Sequence, residues 1–141
     1  MRDREVVTVP ATLDGVREAV ARFEAFAAAH ALARGQVWPF QVALDEVLAN
    51  IVTHGYAGAA DAPSIEIAMA YGDGQVELVI VDAARPFNPL EAQEPDVTAA
   101  LEERPIGGLG IALVRKLMEA VEYERQGDRN RLRLRGRLME A

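Results

Sequence analysis

The residues best suited to chemistry fall in three places. In the stretch Phe40–Tyr56, FQVALDEVLANIVTHGY, Glu46, Asn50 and His54 recur at i, i+4 and i+8. At helical period their side chains stack along one seam, beside an apolar stripe of Phe40, Leu44, Val47, Leu48, Ile51 and Val52. A carboxylate one turn before a carboxamide pairs a candidate base with an amide oxygen able to hold a hard cation. Taken alone, such a seam is more often a solvated helix edge. Asp82 is the second place. It closes the apolar run QVELVIVD, and a carboxylate at the end of a buried strand needs a hydrogen-bonding reason to be there. It either starts a turn or accepts, at a pocket floor, from an exocyclic amine such as that of adenine. The third is Gly107-Gly108-Leu109-Gly110, immediately before a helix expected to start near Ile111. Glycines there let backbone approach a ligand, and a helix N-terminus presents unpaired N–H groups to phosphate. No Lys-Ser/Thr follows, so this is not a P-loop. Because it follows a loop rather than a strand, it is not a dinucleotide fingerprint either.

The elements that must position these residues belong to an ordinary globular chain. Its 141 residues have the size of one domain, 1–141, and can bury a substantial core. Half are hydrophobic and 26% charged, which argues against disorder. A net charge of −7 disfavours broad nucleic-acid binding, which needs a cationic surface. Zero cysteines exclude disulfides and thiolate metal sites. No run is long enough to cross a bilayer, and the start MRDREVVTV lacks the apolar core of a secretory signal. The expectation is a soluble, cytoplasmic protein with no direct nucleic-acid or membrane partner.

Along the chain, Val6–Val9 reads as a strand closed by Pro10. A helix capped near Thr12 follows, with Val16, Val20, Phe23 and Ala27 on its apolar face and His30 near its end. Gly35 is expected to break it, with Pro39 in the first turn of the next helix, which runs to Gly55. Ile65, Ile67, Met69 and Tyr71 alternate as in a half-buried strand, and Gly72-Asp73-Gly74 signals a hairpin into QVELVIVD, a central strand. Asn88–Pro105 is acidic and punctuated by proline, as a loop with one helical turn around Val97–Leu101 would be. Ile111, Val114, Leu117, Met118 and Val121 mark an amphipathic helix, and a last hairpin turns at Gly127-Asp128. Arg129, Arg131, Arg133, Arg135 and Arg137 share one face of the final strand, with Leu132 and Leu134 on the other. That face is expected to be solvated, although five like charges on an acidic protein also form a field able to dock an acidic partner.

In this order the motifs resemble those of the GHKL ATPases. ALDEVLANIVTHGY is similar to their N box, VDAARPFNPL to their first glycine box and IGGLGIALVRKLM to their second. The short length and the phrase GGLGIALVRKLMEAVEYER resemble the bacterial anti-sigma-factor serine/threonine kinases in particular. With no phosphoacceptor helix before the motifs, a histidine-kinase catalytic domain is the less expected reading. The resemblance implies a Bergerat-type ATP-binding fold of the α/β (α+β) class. That fold is a two-layer sandwich with a mixed, mostly antiparallel sheet and three longer helices on one face. It implies ATP and Mg²⁺ as cofactors, Glu46 as the base that activates a serine or threonine hydroxyl, and Asn50 as the Mg²⁺ ligand. It further implies Asp82 as acceptor for the adenine amine, Gly107, Gly108 and Gly110 around the phosphates, and Arg104 reaching the terminal phosphate. Residues 88–106 would form an ATP lid. The implied partners are a STAS-domain anti-sigma antagonist, which carries the target hydroxyl, and a sigma factor; a homodimer is compatible with this reading.

Two positions depart from the family pattern. The first glycine box, Asp-x-Gly-x-Gly in the family, reads Asp82-Ala83-Ala84-Arg85-Pro86, so Ala84 is strained if its backbone needs a positive φ. The last strand offers Asn130, Arg131 and Leu132 where a threonine partner for Asp82 is expected. These departures leave a second reading beside the kinase: the same fold, catalytically weak or inactive, regulating a sigma factor or STAS partner by association alone.

Overall fold

A computed structural model describes residues 3–55, 63–83, 86, 88 and 108–139; the side chains of 54, 55 and 108–111 stand outside that description. Strand β1 (Asp3–Pro10) leads into helix α1 (Leu13–Ala29) and helix α2 (Arg34–Asn50). The hairpin of β2 (Ser64–Gly72) and β3 (Gln75–Asp82) follows, then α3 (Gly108–Leu117), then the hairpin of β4 (Ala120–Gln126) and β5 (Arg129–Arg137). The five strands form one sheet in the order β1-β2-β3-β5-β4. Every described pairing in it is antiparallel, so the parallel component of a mixed sheet is not seen. The architecture is the expected α+β one, with β3 central.

Alternation decides which face is covered. Val7, Val9, Ile65, Ile67, Met69, Val76, Leu78, Ile80, Leu132 and Leu134 are buried and form one core with α1, α2 and α3. The helices therefore share that face, and area removed from water there stabilises the fold at about 25 cal/mol per Å². The arginines of β5 lie on the opposite face, as expected. Arg133 spans its neighbours there, pairing with Glu77 at 3.0 Å and Glu122 at 3.4 Å.

Both hairpins turn where expected. Asp73 (φ 54°) and Gly74 (φ 74°) are the two positive-φ residues that a type I′ turn requires. Thr12 caps α1 by accepting from the Gly15 N–H at 3.0 Å.

Three local expectations fail. Helix α1 is not ended by Gly35. It ends at His30 and Ala31: Ala31 takes φ 58°, its N–H donates to the Ala28 carbonyl at 3.0 Å, and the Leu32 N–H donates to the Ala27 carbonyl at 2.9 Å. That is a Schellman ending with alanine in place of the usual glycine. Gly35 lies inside the first turn of α2, where Gln36 Oε1 accepts from the Ala33 N–H at 3.0 Å, and Pro39 falls in the second turn. Finally, Val121 is not helical. Helix α3 stops at Leu117, and Val121 pairs with Leu134 across β4–β5. Backbone pairing with β5 captures the segment while still setting Val121 against the core.

The expected lid, residues 88–106, lies outside the described residues except for Asn88.

Candidate functional site

Helix α2 owes its position to Phe40, Ala43, Leu44, Val47 and Leu48, all fully buried against the other helices and the sheet. That stripe fixes the rotation of the helix and so decides where its polar seam falls. Asn50, the last α-helical residue, is only 6% exposed. Its Nδ2 is buried with no hydrogen-bond partner among the described residues. The next five residues, Ile51–Gly55, continue as a π-helical turn, a feature frequent at functional sites because it widens the helix locally. The expected helix end at Gly55 thus holds, with a change of helix type on the way. His54, the third member of the seam, has a side chain outside the description.

Glu46 sits one turn before Asn50 and is half-buried. Burial first, and the adjacent Asp45 carboxylate second, raise its pKa above the ordinary value of 4.5. A carboxyl shifted upward is a stronger base than a solvated one, which suits proton abstraction.

Asp82 is 4% exposed at the inward-facing end of β3. It lies in a polar row that crosses three strands. Asp82 is directly opposite Asn130 on β5, which is directly opposite Arg125 on β4. Asn130 Nδ2 donates to Asp82 Oδ1 at 2.9 Å. Asn130 Oδ1 in turn accepts from the Tyr123 hydroxyl at 2.5 Å and from Arg125 Nη1 at 3.2 Å. Asn130 is itself 3% exposed. The last strand has no threonine beside Asp82, and Asn130 supplies the hydrogen bond in its place. The Gly127-Asp128 turn sets the β4–β5 register, with Asn130 opposite Arg125, but not the β3–β5 register that brings Asn130 to Asp82.

Gly108 and Gly110 lie in the first turn of α3 rather than in a loop before it. The helix begins three residues earlier than Ile111 because glycine does not prevent the turn from closing. Helix α3 packs on α2, so its N-terminal N–H groups belong to the same helical layer as Glu46 and Asn50. Gly107, Arg104 and Ala84 fall outside the described residues.

Asn50 and Asp82 are thus both buried on the covered side of the sheet. This donor set fits a nucleotide with its cation. Mg²⁺ is commonly held by one or two protein oxygens plus phosphates, and a half-turn of the Asn50 amide exchanges its nitrogen and oxygen ends.

The sequence profile of the histidine kinase-like ATPase domain matches residues 9–136. A curated relative, the serine/threonine-protein kinase BtrW of Bordetella bronchiseptica, is 32% identical over 90 residues, covering 64% of this chain and 63% of that protein. The chain therefore matches somewhat under two thirds of that relative's length. Among solved structures, the RsbU and RsbW domains of a Mycobacterium tuberculosis protein superpose with a TM-score of 0.70 at 19% identity. That match covers 99% of this chain and 33% of the other. At that identity the likeness speaks for the fold alone.

Proposed function

Because the chain belongs to the histidine kinase-like ATPase domain family, we propose that it is a Mg²⁺- and ATP-dependent serine/threonine-protein kinase acting as an anti-sigma factor. Its substrate in this reading is a STAS-domain anti-sigma antagonist, and a sigma factor is the alternative partner. The observation that carries the reading is the α2 seam: a half-buried Glu46 with raised proton affinity, one turn from a buried Asn50 amide whose nitrogen has no partner among the described residues. The named relative's serine/threonine specificity supports the choice of acceptor. No described helix is long and apolar enough to cross a membrane, which is compatible with a cytoplasmic role.

Each residue has a distinct task in this mechanism. Glu46 takes the proton of a serine or threonine hydroxyl as that oxygen bonds the γ-phosphorus and the bond to the leaving ADP breaks. Asn50 holds the cation, which when bound neutralises charge on the phosphates. Asp82 accepts from the amine of the adenine base. The first turn of α3, with Gly108 and Gly110, donates N–H groups to phosphate oxygens.

The test is calorimetric titration with ATP, with and without Mg²⁺, followed by incubation with radiolabelled ATP and a STAS-domain protein from the same cell. Mg²⁺-dependent binding and label transfer are expected. Binding of the partner without any transfer would replace the kinase by an association module on the same fold. Absence of ATP binding at millimolar nucleotide would remove the nucleotide site itself.

A further inference from the structure

We propose that the outer groove between α1 and α2 docks a cationic amphipathic helix of a partner protein; this goes beyond the kinase reading and does not rest on it. Residues 30–33 join the two helices in a short connection, so α2 runs back alongside α1. On the solvent side they leave a groove of about 410 Å³. Its floor is apolar, with Val20 and Ala21 from α1 and Val42 from α2, and Val20 rests on the protein core. The apolar character continues past the groove at both ends. Leu13, 59% exposed, stands one turn before Arg17 on α1, and Trp38, 40% exposed, stands one turn before Val42 on α2. Solvent-side positions of a helix pair are ordinarily polar. A continuous apolar strip there, with polar rims, marks a surface that another molecule covers.

The rim decides what that molecule is. Arg17 is answered within its own helix by Asp14 at 3.1 Å. Glu24 on one wall and Asp45 on the other are exposed and make no ion pair among the described residues. Two unbalanced carboxylates flanking an apolar floor complement a helix whose apolar stripe is bordered by lysine or arginine, and they repel an acidic one. The strip from Leu13 to Glu24 is roughly three helical turns long, enough for a set of anchors at i, i+3, i+4 and i+7. Trp38 adds a large, rigid apolar surface of the kind on which binding energy concentrates. Glu46 and Asn50 follow another seam of α2 and do not line the groove, so this surface is distinct from the proposed nucleotide site.

The test uses the whole chain, at about 0.15 M salt, and a synthetic helix of roughly five turns with leucines on one face and lysines on its flanks. The control is the same peptide with glutamate in place of lysine. Trp38 is the only tryptophan in the chain, so its emission reports occupation of the groove directly. The lysine peptide is expected to shift that emission to the blue and to saturate, with a Kd of about 1–100 μM. The glutamate peptide is expected to leave it unmoved. Glu24→Lys combined with Asp45→Lys should weaken the lysine peptide at least about tenfold. Leu13→Ser, which removes the exposed apolar end of the strip, should weaken it about threefold. Glu5→Lys combined with Glu66→Lys makes the same change of charge at exposed sites outside the groove and should keep the affinity within about twofold. No emission change with the lysine peptide, equal shifts with both peptides, or equal losses in the two double variants would overturn the docking surface. Self-association of the parent in sedimentation that Glu24→Lys with Asp45→Lys abolishes would overturn it too, by showing that a second copy fills the groove.

Discussion

Replacing Glu46 by glutamine should make the protein more stable and less active at once. Glutamine keeps the shape and hydrogen-bonding capacity of the side chain but cannot carry charge or take a proton. In the parent, burial and then the neighbouring Asp45 raise the Glu46 pKa above 4.5. The folded protein therefore holds that proton more tightly than the unfolded chain does. Stability must fall as pH rises from the unfolded value through the folded one, and the full penalty applies above the folded pKa. Glu46→Gln removes the penalty, so the variant should melt higher than the parent at about pH 7.5, with the gap closing at and below 4.5. Phosphate transfer should move the other way. A positioned general base contributes roughly 10²–10⁴-fold, equivalent to about 3–5 kcal/mol of barrier. ATP affinity should stay within about twofold, because no phosphate contact is assigned to Glu46. The assays are thermal melts across that pH range, single-turnover transfer to the STAS partner, and ATP titration. Transfer at the parent rate would refute Glu46 as the base. A lower melting temperature at neutral pH would refute the argument from burial and Asp45.

Asn50→Leu keeps the branched side-chain skeleton without an amide nitrogen that is unpaired among the described residues, so the nucleotide-free protein should gain up to about 1–3 kcal/mol, while ATP binding loses its Mg²⁺ dependence. A drop in melting temperature would show that the amide is satisfied. Gly15→Ala should be strongly destabilising, by about 3 kcal/mol in denaturant titration, because the new methyl carbon would stand 1.8 Å from the Pro10 carbonyl oxygen where α1 meets β1. Ala31→Gly should stabilise by about 1 kcal/mol, measured in the same way, by relieving the left-handed backbone at the end of α1.

Period and turn chemistry determined much of this protein from the sequence alone. The alternation in β2 and β5 marked which of their residues are buried, the apolar run of β3 marked it as central, and Asp73-Gly74 and Gly127-Asp128 fixed both hairpins. Thr12 announced α1, and Glu46 and Asn50 announced the polar seam, because these signals are local and lie within one or two helical turns. The tertiary structure decided what depends on competition between distant partners. Gly35 looked like a helix breaker, yet the backbone bonds of Ala31 and Leu32 to the preceding turn ended α1 first. Val121 satisfies both a helical and a strand period, and pairing with Leu134 on β5 settled it as strand. The partner of Asp82 lies 48 residues away along the chain, so only the β3–β5 register could reveal that Asn130 meets it. Burial was decided in the same way. The sequence marks Glu46 and Asn50 as polar, but only the packing of α2 against sheet and helices withdraws them from water, and that withdrawal raises one proton affinity and leaves one amide nitrogen without a partner among the described residues.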